Sequence, residues 1–140
     1  MLRFILDRFR RAREPRHLQT GKWGEAVAER HLLAKGYKVL GRRVRIGRRA
    51  EVDLLMQNES ALVFVEVKTR GTLRFGSGMT YAKRRMISHA AVRYVQRMRQ
   101  KPPHVRFDVV MVTGQEAMGL PEIRHIENAF PLTDNLRMPT

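Results

Sequence analysis

Two apolar runs, EVDLLM at 51–56 and ALVFVEVKT at 61–69, are separated only by the polar quartet Gln57-Asn58-Glu59-Ser60. Such a run-turn-run folds as a β-hairpin, and no other feature constrains the chain more. Leu54, Leu55, Val63, Phe64, Val65 and Val67 are apolar at both parities, which suits strands buried on both sides.

Helical spacing flanks this hairpin. In TGKWGEAVAERHLLAKGY, Trp23, Ala26, Val27, Leu33 and Ala34 recur near the helical period, with Thr20 as N-cap and Gly36 as stop. YKVLGRRVRI follows as a strand, and Gly47-Arg48-Arg49 as a basic turn. Gly71, Gly76 and Gly78 punctuate a loop, a flexible lip beside the hairpin. Beyond it Lys83, Met86, Ile87, Ala90, Ala91, Tyr94, Val95 and Met98 share one helical face, apolar apart from the lysine. Pro102-Pro103 ends that helix, VRFDVVMV reads as a buried strand, and EIRHIENAF as a short strand or helical turn. The predicted class is α/β, a mixed central sheet flanked by helices. Residues 17–135 form one domain, with a loose basic arm at 1–16 and a tail at 136–140.

The hairpin carries Asp53, Glu66 and Lys68 among its apolar residues. Side chains alternate along a strand, so Glu66 and Lys68 point the same way. A turn with an even number of residues pairs position 53 with about position 64, which brings Asp53 to their face, diagonal to Glu66. An odd turn without a bulge would separate them. Two neighbouring carboxylates repel and are costly to desolvate unless something neutralises them, and Lys68 neutralises only one. A hard divalent cation, Mg²⁺ or Mn²⁺, is the economical partner, leaving Lys68 to orient a water or offset charge at phosphorus. The plain alternative is a solvent-facing hairpin with weak cross-strand pairs.

Composition names the partner class. There are 28 Lys and Arg against 13 Asp and Glu, a formal charge of +15, and such an excess calls for a polyanion. Nucleic acid fits, because its backbone rewards dispersed cations by counterion release. Arg42, Arg43, Arg45, Arg48 and Arg49 precede the hairpin, Arg70 ends it, and Lys83, Arg84 and Arg85 open the second helix. They are either a rim that holds a phosphodiester backbone or a merely solvated basic surface.

Other chemistries find no support. The absence of cysteine excludes disulfides, thiolate zinc sites and cysteine nucleophiles. His17, His31, His89, His104 and His125 lack metal-ligand spacing and read as structural or phosphate-contacting. No phosphate-binding glycine loop or nucleophile elbow is present. Trp23 reads as a core anchor rather than a base-stacking platform. No signal peptide or apolar run of spanning length occurs, so no membrane partner is expected and the cytoplasm is the default location.

Asp53 followed by Glu66-Val67-Lys68 on the next strand resembles the PD-(D/E)xK site of restriction-endonuclease-like nucleases. The wider set GKWGEAVAERHLLAKGYKVL, AEVDLL, VFVEVKTR, Lys83-Arg84-Arg85, RFDVVMV and HIENAF, spanning about residues 20 to 130, resembles the uncharacterised YraN-like family, whose fold is similar to archaeal Holliday junction resolvases. The resemblance implies an α-β-β-β-α-β core, with Asp53, Glu66 and the Val67 carbonyl holding a metal and Lys68 assisting a water. It also gives Glu25 a place near the metal; read from the residues alone, Glu25 is a first-turn glutamate favoured by the helix dipole. Three positions depart from the family pattern: no proline precedes Asp53, Ala50 stands where glycine is usual, and Arg84 where glutamine is. The implied activity is metal-dependent hydrolysis of DNA, with junctions and flaps among the candidate substrates and, by analogy, a homodimer as the acting form. The alternatives are a non-catalytic nucleic-acid-binding module that keeps the fold, and a basic RNA-associated structural protein.

Overall fold

In the computed structural model residues 16–70, 79–114 and 119–140 are described, apart from the side chains of 16–20 and of Arg70. Residues 1–15 of the 1–16 arm and the glycines at 71, 76 and 78 lie outside the described residues, while Arg16 already belongs to the first helix.

Helix α1 (Arg16–Ala34) leads into β1 (Lys38–Ile46), β2 (Ala50–Gln57) and β3 (Ala61–Arg70); α2 (Tyr81–Arg97) then precedes β4 (His104–Thr113) and β5 (Glu122–Ile126). The five strands form one sheet in the order β1-β2-β3-β4-β5. β3 and β4 run parallel and every other neighbour is antiparallel, so the sheet is mixed. The fold is α/β, with the element order of a restriction-endonuclease-like core and β5 added at one edge.

A helix covers each face. On one, Val27, Ala28 and Leu32 of α1 pack over Leu54, Met56, Val63, Val65 and Val110. On the other, Ile87, Ala90, Ala91 and Val95 of α2 pack over Val52, Phe64, Phe107 and Val109, with Phe130 stacked on Phe107 at 4.9 Å. The doubly apolar strands are thus buried from both sides, as their sequence requires.

Both helix boundaries differ in part from the sequence pattern. α1 starts at Arg16, before Thr20, and buries Val27, Ala28 and Leu32 while Leu33 is 45% exposed and Ala26 and Ala34 face solvent. Positions 24, 27, 28, 31 and 32 make a tighter stripe than the one that includes Leu33, and the sheet selects it. Gly36 does end α1. It takes φ +91°, and Tyr37 N–H donates to the Leu32 carbonyl at 3.1 Å, a Schellman closure. Thr80 caps α2, its hydroxyl accepting from Lys83 N–H. That helix stops at Arg97, ahead of Pro102-Pro103, where Lys101 donates to the Val95, Gln96 and Met98 carbonyls.

Candidate active site

β2 and β3 pair from Gln57↔Leu62 to Leu54↔Val65 and then part. The turn is Asn58–Ala61, one residue later than the sequence suggested, with the Asn58 side chain accepting from Ser60 N–H and Ala61 N–H. It still contains four residues. Parity therefore keeps Asp53 with Glu66, and the two carboxylates meet where the paired register has ended.

At Asp53 the alternation of β2 slips: Val52 joins the α2-side core and Leu54 the α1-side core. The strands open there, and the Asp53 carboxylate bridges the gap by accepting Val67 N–H at 2.8 Å. In a strand the N–H and C=O of one residue point to the same edge, so the Val67 carbonyl also faces this opening. A cleft of about 460 Å³ fills it, lined by Gly21 and Glu25 of α1, Asp53, and the run Glu66 to Thr69.

Glu66 is 6% exposed and receives two ammonium groups, Lys83 of α2 and Lys68 at 3.5 Å. Among the described residues no cation pairs with Asp53 in the same way. Burial pushes its carboxyl up first, Glu66 beside it pushes further, and the Val67 N–H only partly opposes them, leaving a pKa of about 7.

Glu25 borders the cleft from α1, its carboxylate accepting from Arg43 at 3.0 Å. It lies in the third turn of α1, so the dipole reading of its position fails: the helix begins nine residues earlier. Arg43 sits opposite Asp53 between the pairs Arg42↔Leu54 and Val44↔Val52, at the left-handed φ of 48°. Its guanidinium is held above its ordinary pKa, chiefly by the Glu25 hydrogen bond. Among the described residues no three His, Asp or Glu already stand in metal-binding geometry. Three carboxylates, Glu25, Asp53 and Glu66, line the cleft beside Val67, and the repulsion of Asp53 by the other two is what a hard cation relieves.

The remaining basic candidates are distributed more widely. Arg42 pairs with Glu29 at 2.5 Å and Arg45 with Glu51 at 3.6 Å. Arg84 lies over the Tyr81 ring at 6.0 Å, with its Nε buried and unpartnered among the described residues. Arg48, Arg49 and Arg85 line a different groove, on the α2 side.

One polar cluster has no counterpart in the sequence pattern. Asp108, 1% exposed, accepts from Arg106 through both oxygens at 2.8 Å, from His125 Nε2 at 2.6 Å and from Asn128 N–H at 3.0 Å. Lys35 donates to His125 Nδ1 at 2.8 Å, which fixes the Nε2–H tautomer facing Asp108. Antiparallel pairing Val110↔His125 makes His125 the diagonal neighbour of Asp108. The signal was present as Asp108 in one apolar run and His125 in the next, and only strand pairing joins them. This cluster shares no residue with the cleft.

With the geometry in place, comparison with known proteins assigns the family. Residues 24–112 match the model of Uncharacterised protein family UPF0102. The chain belongs to this family. A UPF0102 protein of Symbiobacterium thermophilum is 42% identical over 116 residues, 80% of this chain and 96% of that protein. One from Syntrophomonas wolfei is 39% identical over 115 residues, 80% of this chain and 97% of the relative. Among solved structures, Pyrococcus furiosus SfsA in complex with Ca²⁺ aligns with a TM-score of 0.39 and 15% identity, over 79% of this chain and 63% of that one. A likeness that weak carries no argument. The matched span from Gly24 to Val112 contains every residue of the cleft except Gly21. No helix among the described residues is long and apolar enough to cross a membrane.

Proposed function

We propose that this protein is a metal-dependent nuclease that hydrolyses phosphodiester bonds in DNA. The observation that carries this reading is the Asp53 and Glu66 pair, brought together in the cleft where β2 and β3 part, with the Asp53 pKa raised to about 7 by burial and by its neighbour. A carboxylate pair that repels itself in a cleft is poised for a cation.

Asp53, Glu66 and the Val67 carbonyl would hold Mg²⁺ or Mn²⁺, and the other cleft residues divide the remaining work. The ion, when bound, supplies Lewis acidity toward a water and a phosphate oxygen. Lys68 keeps its ammonium beside the pair, where it orients a water and offsets charge growing on the phosphate. Asp53 is fixed by Val67 N–H, so its second oxygen is presented to the cleft in one orientation. Glu25, tied to Arg43, closes the α1 side.

The second reading, a nucleic-acid-binding module without catalysis, draws on one observation: Lys83 and Lys68 already neutralise Glu66. Incubation of labelled linear, flapped and four-way-junction DNA with Mg²⁺ or Mn²⁺ decides between the two, with an Asp53→Ala control purified identically. Cleavage by the native chain and none by the variant supports the nuclease. Salt-sensitive binding without cleavage by either leaves the binding module.

A further inference from the structure

A second cavity lies outside the carboxylate cleft. It is a groove of about 680 Å³ between the β1–β2 turn and α2, and it shares no lining residue with the cleft. Arg48 and Arg49 enter it from the turn; Arg85, His89 and Arg93 enter it from one face of α2. All five are exposed. Arg93 lies against the turn glycine, so close that a Cβ on Gly47 would stand 3.1 Å from its Nη1.

Charge and an internal ligand both identify what the groove takes. Among the described residues Arg48, Arg49 and Arg93 meet no carboxylate within ion-pair distance, unlike Arg42, Arg43 and Arg45 on β1. At the other end one oxyanion is already bound. Asp134, from the segment after β5, receives Arg85 Nε at 2.5 Å, His89 Nε2 at 2.9 Å and the Tyr81 hydroxyl at 2.9 Å. Asp134 and Asn135 both take positive φ, 57° and 55°, which presents the carboxylate to α2 at a cost in backbone strain.

Spacing relates the groove to the cleft. Ala50 lines the groove and Asp53 the cleft, three residues apart on one strand, or about 10 Å. On α2, Ala82 lines the groove while the adjacent Lys83 reaches Glu66. Neighbouring phosphates of one DNA strand rise about 3.4 Å along the axis but stand further apart through space because the backbone winds around it, so a gap of about 10 Å is one to two nucleotide steps.

We propose that this groove binds the phosphate backbone of duplex DNA one or two nucleotides from the scissile position, in competition with Asp134. The proposal rests on the nucleic-acid reading above and gives that reading a second point of contact. Arg48, Arg49 and Arg93 hold the backbone as point charges and forks without reading sequence. Asp134 occupies the Arg85 and His89 end when no DNA is present.

The test is fluorescence anisotropy of a labelled short duplex against the full chain in EDTA over a range of salt, with thermal melts confirming the fold. R48A/R49A and, separately, R93E are expected to weaken binding at least tenfold. The R48A/R49A pair should lower the slope of log K against log salt by about 2, one for each phosphate that the two arginines neutralise. D134N is expected to tighten binding about two- to fivefold, the scale of one exposed ion pair. Native affinity and slope in both arginine variants would overturn the groove, and unchanged affinity in D134N would overturn the competition. Weakened arginine variants alongside a native chain that never cleaves would remove the nuclease and keep the groove. A native chain that binds no duplex even at low salt would remove both.

Discussion

The Asp53 carboxylate accepts the backbone N–H of Val67 at 2.8 Å, replacing the ladder hydrogen bond that β2 ceases to make beyond Leu54. One acidic residue thus holds the mouth of the hairpin together and faces Glu66 inside it. The two tasks conflict. The Val67 hydrogen bond favours the ionised form, but burial and the Glu66 charge outweigh it and leave the pKa at about 7.

This conflict predicts a pH dependence. The unfolded chain releases the Asp53 proton near 3.8 and the folded chain near 7, so between those values the folded state binds more protons. Metal-free stability from this group falls as pH rises through that window and levels off above it. A divalent cation competes with the same proton and stabilises most on the alkaline side. Thermal melts in EDTA should show Tm declining from about pH 5 to about pH 8, with Mg²⁺ restoring it at the upper end. Asp53→Asn keeps the Val67 acceptor and should remove both effects. An unaltered Mg²⁺ response in the variant would count against Asp53 as a ligand.

The two lysines on Glu66 separate catalysis from support. Lys68 lines the cleft, whereas Lys83 approaches from α2. Lys68→Ala is expected to slow single-turnover cleavage by about 10²-fold or more, the scale of one preorganised charge at a reacting phosphate, with duplex affinity little changed. Lys83→Ala leaves Lys68 in place and should slow cleavage about tenfold or less while lowering Tm, since a nearly buried carboxylate is left with one of its two partners. Equal rate losses in the two variants would merge their roles.

Much of this was legible in the sequence because it depends on parity and order. The doubly apolar runs required cover on both faces, and an even turn required Asp53 and Glu66 to meet. The register itself was not legible, since a four-residue turn beginning at Gln57 and one beginning at Asn58 have the same parity; the Asn58 side chain, accepting from Ser60 and Ala61, decides between them. The buried face of α1 was misread at Leu33 because several stripes fit the helical period, and packing against Leu54 and Val65 selects one. Asp108 and His125 are 17 residues apart, and only β4–β5 pairing makes them neighbours.

The Asp108 cluster is expected to act through the fold. Burial pushes the Asp108 carboxyl up, but hydrogen bonds from His125, Arg106 and Asn128 N–H together hold it below the usual range. Its contribution is present above 3.8 and is lost as pH falls below that value. Asp108→Ala strands Arg106 and His125 and should cost about 3–5 kcal/mol in urea denaturation. Cleavage per folded molecule should stay near native, measured at a temperature where the variant remains folded.

A last prediction concerns how closely α1 must approach the cleft. A Cβ at Gly24 would stand 1.9 Å from Thr69 Oγ1 and 3.1 Å from Thr69 Cβ, so α1 can lie this near β3 only with glycine at that position. Gly21 and Glu25 of α1 and Thr69 of β3 all line the cleft, so a shift of α1 widens it. Gly24→Ala gains helix propensity worth about 1 kcal/mol yet forces an overlap that typically costs about 1–3 kcal/mol and displaces backbone. The expected result is a lower Tm together with slower cleavage. Thr69→Ala removes the nearer atom and should recover most of both losses in the double variant, a coupling that a double-mutant cycle measures directly. Additive losses would mean that the helix yields elsewhere and that Gly24 does not set the width of the cleft.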